Sequence, residues 1–352
     1  IAKVTREGRI QVGPESAGAV PGPACFNLGG TRPTLTDATL VLGWIDPGYF
    51  LGGKKKLDAA KAYEAIERGI SSRLNISVRE AASGIIDELT SGGANALRQL
   101  AAERGHEPEK FVLFSFGGGG GLFCAEVARK CGIKRIYTFP FSSVFSAFGL
   151  SAADINHTYE WRCGMISKIG EALTESEVRE LVTSPIHLMK NWAYRDMRGE
   201  GFGQEEILFA VEAEVTTPDG SGRDIYSVPH ADDGQVDAKQ LNDFLQNLHR
   251  MLDAPELIVE FIRLRARVPI PHYRLPAEPL TGKDPSQAQK GVRTIFWHSD
   301  AHEAKVYEWQ LLRPGNEIAG PALIESKDTT IYVPPGAAYQ MDQHGNGILE
   351  VQ

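Results

Sequence analysis

Five consecutive glycines, Gly117 to Gly121, are the residues of this chain best suited to receiving a ligand. An apolar run of strand length and composition, Phe111 to Phe116, precedes them. Leu122 to Lys130 then reads as a helix closed by Cys131-Gly132, and Arg135 to Phe139 as a second short strand. Glycines between a strand and a helix N-terminus let a ligand come close to the backbone, where free N–H groups and the positive end of the helix dipole await it. Nucleotide sites are built this way. The spacing is nevertheless not the dinucleotide fingerprint, and no Lys-Ser/Thr pair follows. A tight glycine turn in an α/β core is an equally good reading of the pattern alone.

Other candidates are isolated. Residues 13 to 38 form a loop of small residues, Gly and Pro, whose polar groups are Glu15, Ser16, Thr36 and Asp37. Asp37 either caps the helix that starts at Ala38 or serves a ligand or metal, and the pattern leaves both open. His298 and His302 stand four residues apart, a spacing that suits a metal only on a helix, whereas WHSDAHE reads as strand and turn. Ser16 lies in ESAG, which is not a nucleophile elbow. Phe139, Phe141, Phe145 and Phe148 read as core, although aromatic rings near a glycine loop can line an adenine pocket. Cys25, Cys124, Cys131 and Cys163 show no CxxC spacing, which fits a reducing compartment and not a metal cluster. No complete catalytic set emerges.

The elements that must position these groups are periodic. Leu57 to Leu74 reads as a helix with Asp58 as N-cap and Ala60, Tyr63, Ile66 and Ile70 inward. Ser77 to Glu80 is a capping box before a helix to about Arg104, with Ile85, Leu89, Ala96 and Leu100 as its apolar face. The α/β pattern stops near Asn156. Helices over 173–196 and 236–252 then alternate with strands over 206–216 and 257–268, a small α+β domain. Pro269 to Gly291 reads as a linker, and the short apolar runs from Val292 onward as an all-β domain. Three domains follow: 1–156, 157–270 and 271–352.

Length and composition agree. A chain of 352 residues has room for two or three cores, and 42% hydrophobic with 23% charged residues is ordinary for a globular protein. A net charge of −8 argues against nucleic acid or an anionic membrane as partner. With no run of eighteen apolar residues and no signal peptide, a cytoplasmic location is expected. Ile1 lies inside an apparent hairpin, IAKV and RIQV joined by TREG, as expected of a piece of something longer.

Three stretches together resemble a known family. GPESAGAVPGPACFNLGG with TLTDATLVLG, then FGGGGG with IKRIYTFPFSSVFSAFGLSAADI, then LLRPGNEIAGPALIESKDTTIYVPPG are similar in content and order to the hydantoinase A / 5-oxoprolinase family, over nearly the whole chain. The resemblance implies one lobe of an actin-like ATPase fold (the acetate kinase, sugar kinase and heat-shock ATPase type), followed by the α+β and all-β parts. It also implies an ATP-dependent subunit that activates a carbonyl substrate by phosphorylation. Two branches are known: ketone carboxylases of the acetone and acetophenone type, and cyclic amide hydrolases acting on hydantoins or 5-oxoproline. Arg195 to Phe202 (RDMRGEGF) looks more like the carboxylase branch. A non-catalytic assembly subunit is the third alternative.

Carried over by position, Gly117, Gly118, Gly119, Gly120 and Gly121 match the adenosine-binding loop, and Asp37 is implied near the nucleotide or its Mg2+. No catalytic residue is named. The family's His after the glycines is replaced by Leu122-Phe123-Cys124. The family's two phosphate loops come before the region where this chain begins, so the chain alone is expected to be inactive. Its implied partners are the missing N-terminal ATPase lobe, in the same polypeptide or a separate subunit, a hydantoinase B-like subunit, and a small ketone or cyclic amide.

Overall fold

The apolar-alternating segments at the start do pair. In the computed structural model, which describes every residue except Ser221 and Ser299, β1 (Ala2–Val4) and β2 (Ile10–Val12) form an antiparallel hairpin with Ala2 opposite Val12. Four helices follow: α1 (Leu35–Val41), α2 (Ala59–Ile66), α3 (Ser72–Leu74), continuous with α2 through a π-helical turn, and α4 (Val78–Glu103). Asp58 caps α2 by accepting from the Lys61 N–H. The expected box starts α4: Ser77 Oγ accepts from the Glu80 N–H (3.1 Å) and Glu80 Oε2 from the Ser77 N–H (2.7 Å).

The inner faces of these helices match the predicted ones only in part: Ile66, Ile70 and Ile85 are buried as expected, but other positions are not. On α4 the buried stripe is Ala81, Ala82, Ile85, Ile86, Thr90 and Ala94, while Ala96 and Leu100 are exposed. The helix runs on past its last buried position, where only Leu97 of its apolar period still packs against a core. On α2, Ala62 and Ala65 face inward and Tyr63 is half exposed. Small alanines let neighbouring helices approach, and they outrank the larger side chain one position away.

The glycine unit follows as β3 (Leu113–Ser115), α5 (Gly120–Cys131), β4 (Arg135–Thr138) and α6 (Phe145–Ser151). β3 and β4 are parallel, with Phe114 opposite Tyr137. Gly132 ends α5 in the left-handed region (φ 74°).

Residues 150–273 make a unit of their own. Its elements are β5 (Ile155–Lys168), α7 (Glu175–Val178), α8 (Ser184–Gly199), β6 (Leu208–Thr216), β7 (Asp224–Ser227), α9 (Ala238–Leu252) and β8 (Glu256–Val268). The antiparallel sheet has the order β5-β8-β6-β7. One face carries Val211, Ala213, Ile262, Leu264 and Ala266, packed in one core with Ile186, Met189 and Ala193 of α8 and Leu241 and Leu245 of α9. On β6 and β8, the residues between these core positions form ion pairs: Arg263 with Glu160 and Glu214, Arg265 with Glu212 (2.8 Å). β5, fourteen residues long, lies where no element was expected.

The C-terminal residues form strands as expected: β9 (Gln289–Trp297), β10 (Asp300–Glu308), β11 (Glu317–Ala319), β12 (Ala322–Glu325), β13 (Thr330–Val333), β14 (Ala338–Met341) and β15 (Gly347–Glu350). They do not stand apart as a domain over 271–352. β15 pairs antiparallel with β4, Ile348 opposite Tyr137, giving the mixed sheet β11-β14-β15-β4-β3. Residues 274–352 therefore belong to one unit with residues 1–149. The expected linker is also shorter, because β9 already begins at Gln289. A short parallel pair such as β3–β4 leaves β4 with an open edge, and a strand far away in sequence fills it. The architecture is α/β with mixed sheets.

Candidate functional site

The glycine run divides by what each residue must do. Gly117 has φ 83°, a conformation L side chains rarely adopt, and its N–H donates to the Ser142 carbonyl (2.6 Å). Gly121 is buried, and a Cβ there would lie 2.7 Å from the Thr330 carbonyl oxygen and 2.8 Å from Ile331 Cγ1. Strand β13 passes directly over it. Gly118 and Gly119 are exposed, and a Cβ on either would meet only ordinary contacts at 3.4 Å and 3.7 Å. Gly119 is the N-cap of α5 and no side chain caps that helix. Two of the five glycines thus serve the fold, and two present open backbone at an uncapped helix start.

The loop is held from the C-terminal strands. Thr329 Oγ1 donates to the Gly118 carbonyl (3.1 Å), and the Ser143 hydroxyl donates to Asp328. Ser326 Oγ donates to the other Asp328 oxygen (2.6 Å). Partial burial works against ionisation of Asp328, but these two hydroxyls hold its carboxyl below the ordinary carboxylate range. Asp328 and Thr329 also wall a cavity of about 610 Å3, together with Phe141, Val144, Trp309 and Lys327. Neither residue was singled out in the sequence. The signal that could have found them is the SKDTT turn between two apolar runs, which juts from a strand pair and carries three hydroxyls and a carboxylate.

Asp37 is placed elsewhere. It is fully buried, and its Oδ1 accepts from the Cys25 N–H (2.8 Å). Its Oδ2 accepts from the Thr34 N–H (2.9 Å), the Thr34 hydroxyl (2.7 Å) and the Ala24 N–H (3.3 Å). This is the capping box of α1, tied to the Gly- and Pro-rich loop: Thr34 is the N-cap and Asp37 the third helical residue, so the helix starts at Leu35 and not, as expected, at Ala38 behind an Asp37 cap. A metal ion would have to displace bonds that satisfy both oxygens, so Mg2+ does not fit Asp37, and no partner of Asp37 belongs to the glycine loop among the described residues. The described residues also contain no group of three or more His, Cys, Asp or Glu placed to hold a metal.

The remaining candidates have structural tasks. His302 stands in β10 and His298 in the turn before it (φ 53°), so the pair does not share a helix; Ser299 between them lies outside the described residues. Burial pushes the Cys124 thiol up to about 11 and raises Cys25 as well, so neither is a ready nucleophile. Leu122 and Cys124, in the place of the family's His, face the core. In RDMRGEGF, Asp196 accepts from the Tyr159 hydroxyl (2.9 Å) and Glu200 pairs with His157 (2.8 Å), which fastens the end of α8 to β5. Phe139 and Phe145 stack on each other at 4.4 Å, but Phe141 is exposed and none of Phe139, Phe145 and Phe148 is buried, so the expected core stripe is a surface aromatic cluster.

A family profile described as Hydantoinase/oxoprolinase matches residues 1–159, and one described as Hydantoinase/oxoprolinase C-terminal domain matches residues 252–349. The acetophenone carboxylase gamma subunit of Aromatoleum aromaticum is 36% identical over 99% of this chain and 49% of its own length. The nucleotide-free structure of acetone carboxylase, titled for ATP-dependent acetone carboxylation, superposes with a TM-score of 0.80 at 26% identity, covering 99% of this chain and 51% of that one. The ATP-dependent caprolactamase of Pseudomonas jessenii gives the same values. The chain spans about half the length of the curated relatives it matches. These relatives are subunits of enzymes, and among the described residues no helix is long and apolar enough to cross a membrane. From profile, relatives and superposition alike, the chain belongs to the hydantoinase/oxoprolinase family and resembles its acetone and acetophenone carboxylase branch.

Proposed function

We propose that this chain is the adenosine-binding part of an ATP-dependent subunit of the actin-like ATPase type, one that activates a carbonyl substrate by phosphorylation during ketone carboxylation. The observation that carries the proposal is the open pair Gly118–Gly119 at the uncapped start of α5, in a chain whose relatives are ATP-dependent enzymes. Exposed glycine backbone lets the nucleoside lie against the chain where a side chain would stand in the way. The adjoining cavity supplies apolar surface from Phe141 and Val144, and Asp328 offers a carboxylate at its rim. When bound, ATP supplies the phosphoryl group, and the chain's own residues orient the nucleoside and exclude water. Mg2+ and the triphosphate are assigned to the part of the family subunit that this chain does not span, since phosphoryl transfer depends on phosphate loops and a metal.

Calorimetric titration of ATP into the reconstituted subunit tests this reading. Gly118→Val is expected to weaken binding by at least 100-fold with an unchanged unfolding midpoint; unchanged affinity in the folded variant removes the loop from the site. A second reading, ATP-dependent opening of a cyclic amide, is favoured by the equally good superposition on caprolactamase. Turnover of a ketone with bicarbonate, set against turnover of a lactam, separates the two. Absence of ATP binding by the reconstituted subunit leaves a non-catalytic assembly role, with the glycine loop a relic.

A further inference from the structure

β3 is the last strand of its sheet, and it is composed like a central one. The run Phe111 to Phe116 is apolar apart from Ser115, yet Phe111, Val112, Phe114 and Phe116 are 51%, 47%, 53% and 47% exposed. Strands in parallel sheets are ordinarily covered on both faces. Here α5 packs on β3 and β4, and Leu113 joins the core that contains the buried side of that helix. Phe114 meets Tyr137 and Phe139 edge-on at 5.9 Å and 5.1 Å, and Phe116 stacks on Phe145 at 5.0 Å. Helix α6, which contributes Phe145 and Phe148, has no buried residue at all. Nor does the surface carry the usual protection of an open edge: no charged residue occurs from Phe111 to Phe123 or from Ile136 to Gly149.

We infer that the outer edge of β3, with the aromatic face around Phe114 and Phe116, is the docking surface for the half of the family subunit that this chain does not span, whether that half is carried in the same polypeptide or separately. The occupant adds a strand beside β3 and lays an apolar element over the two phenylalanines. Length argues for it, since the relatives carry about as much chain again outside the matched region. A second copy is a poorer fit, because it offers only another three-residue strand. The surface borders the glycine loop, so docking there brings the missing phosphate loops to the open side of Gly118. The inference rests on family membership and not on nucleotide binding.

The test omits nucleotide, so its failure is distinguishable from failure of the functional reading. The chain is co-expressed with the portion of the Aromatoleum aromaticum acetophenone carboxylase gamma subunit that lies outside the matched region, and amide hydrogen exchange is followed over residues 112–116. The expected result is a one-to-one complex in which these amides exchange at least 10-fold more slowly than in the chain alone. Phe114→Glu weakens the complex at least 10-fold, and Met251→Glu, an exposed apolar site on α9, leaves it unchanged. Absence of a complex, a complex without protection of 112–116, or protection of β3 by self-association of the chain alone each overturns the inference.

Discussion

The two strands β3 and β8 are both flanked by helices, and they meet the problem of the unburied face in opposite ways. β8 sits inside its sheet and turns Arg263, Arg265 and Arg267 away from the core, where carboxylates of β5, β6 and Asp154 pair with them. The outermost strands of that sheet also carry charge, Glu160 and Arg162 on β5 and Asp224 on β7. β3 has phenylalanine where β8 has arginine and an open edge where β8 has neighbours. The difference is one of degree, since β5 and β7 also expose Ile166 and Ile225, but those strands interleave charges with them and β3 carries none.

Substitutions can break this comparison. The largest effect is expected at Glu214, which is 7% exposed and pairs with both Arg263 and Arg223. Glu214→Gln leaves a mostly buried guanidinium short of its counter-charge and is expected to cost about 3 kcal/mol in urea unfolding of the chain. A cost below about 0.5 kcal/mol, the range of ordinary surface changes, would mean that the ladder is decoration. Next comes Gly121→Val, which must push β13 off the loop and is expected to cost about 2 kcal/mol by the same measurement.

Phe114→Glu should cost about 1 kcal/mol, because the ring is half exposed and loses only its edge contacts with Tyr137 and Phe139. A loss of 3 kcal/mol or more, as for a buried phenylalanine, would show β3 to be covered already and would erase the contrast.

The smallest effect is one of pH. His272, the Ile270 N–H and Arg267 hold the Asp154 carboxyl below its ordinary value. A depressed folded value means that the stability it contributes is complete above the unfolded value, near pH 4, and is lost as pH falls through the folded one. Acid titration of unfolding midpoints should therefore show Asp154→Asn slightly below the unaltered chain at neutral pH, with a shallower acid slope, and the two converging once the pH has fallen through the folded value.

Local signals carried much of this structure. The glycine unit, the capping boxes of α1 and α4 and helix α9 are all dictated by neighbours within a few residues, and the strands and helices stand close to where periodicity puts them. β5 was illegible because its run NHTYEWRC alternates aromatic with charged residues, and the charges become sheet positions only when Arg263 and Arg265 lie opposite. The pairing of β15 with β4 had no local mark either. At the site, the glycines were visible, but their division into structural and open members depends on where Thr330 passes. The capping and ligand readings of Asp37 look identical in sequence, because both need a carboxylate at a helix start, and only the four hydrogen bonds it accepts decide for the cap.

The union of β4 with β15 also governs how the chain reaches its native state. Thr138 and Gly347 are register partners 209 residues apart, so direct closure from a disordered chain carries a high entropic cost and is slow. The unit at 150–273 shortens that search. Its own end strands pair Ile155 with Val268, so once it has folded, the two flanking stretches emerge close together and the effective loop collapses to a fraction of its contour. The inserted unit thus roughly halves the chain that must close before the sheet presenting the glycine loop can form, which lowers the entropic cost by about 0.6 kcal/mol.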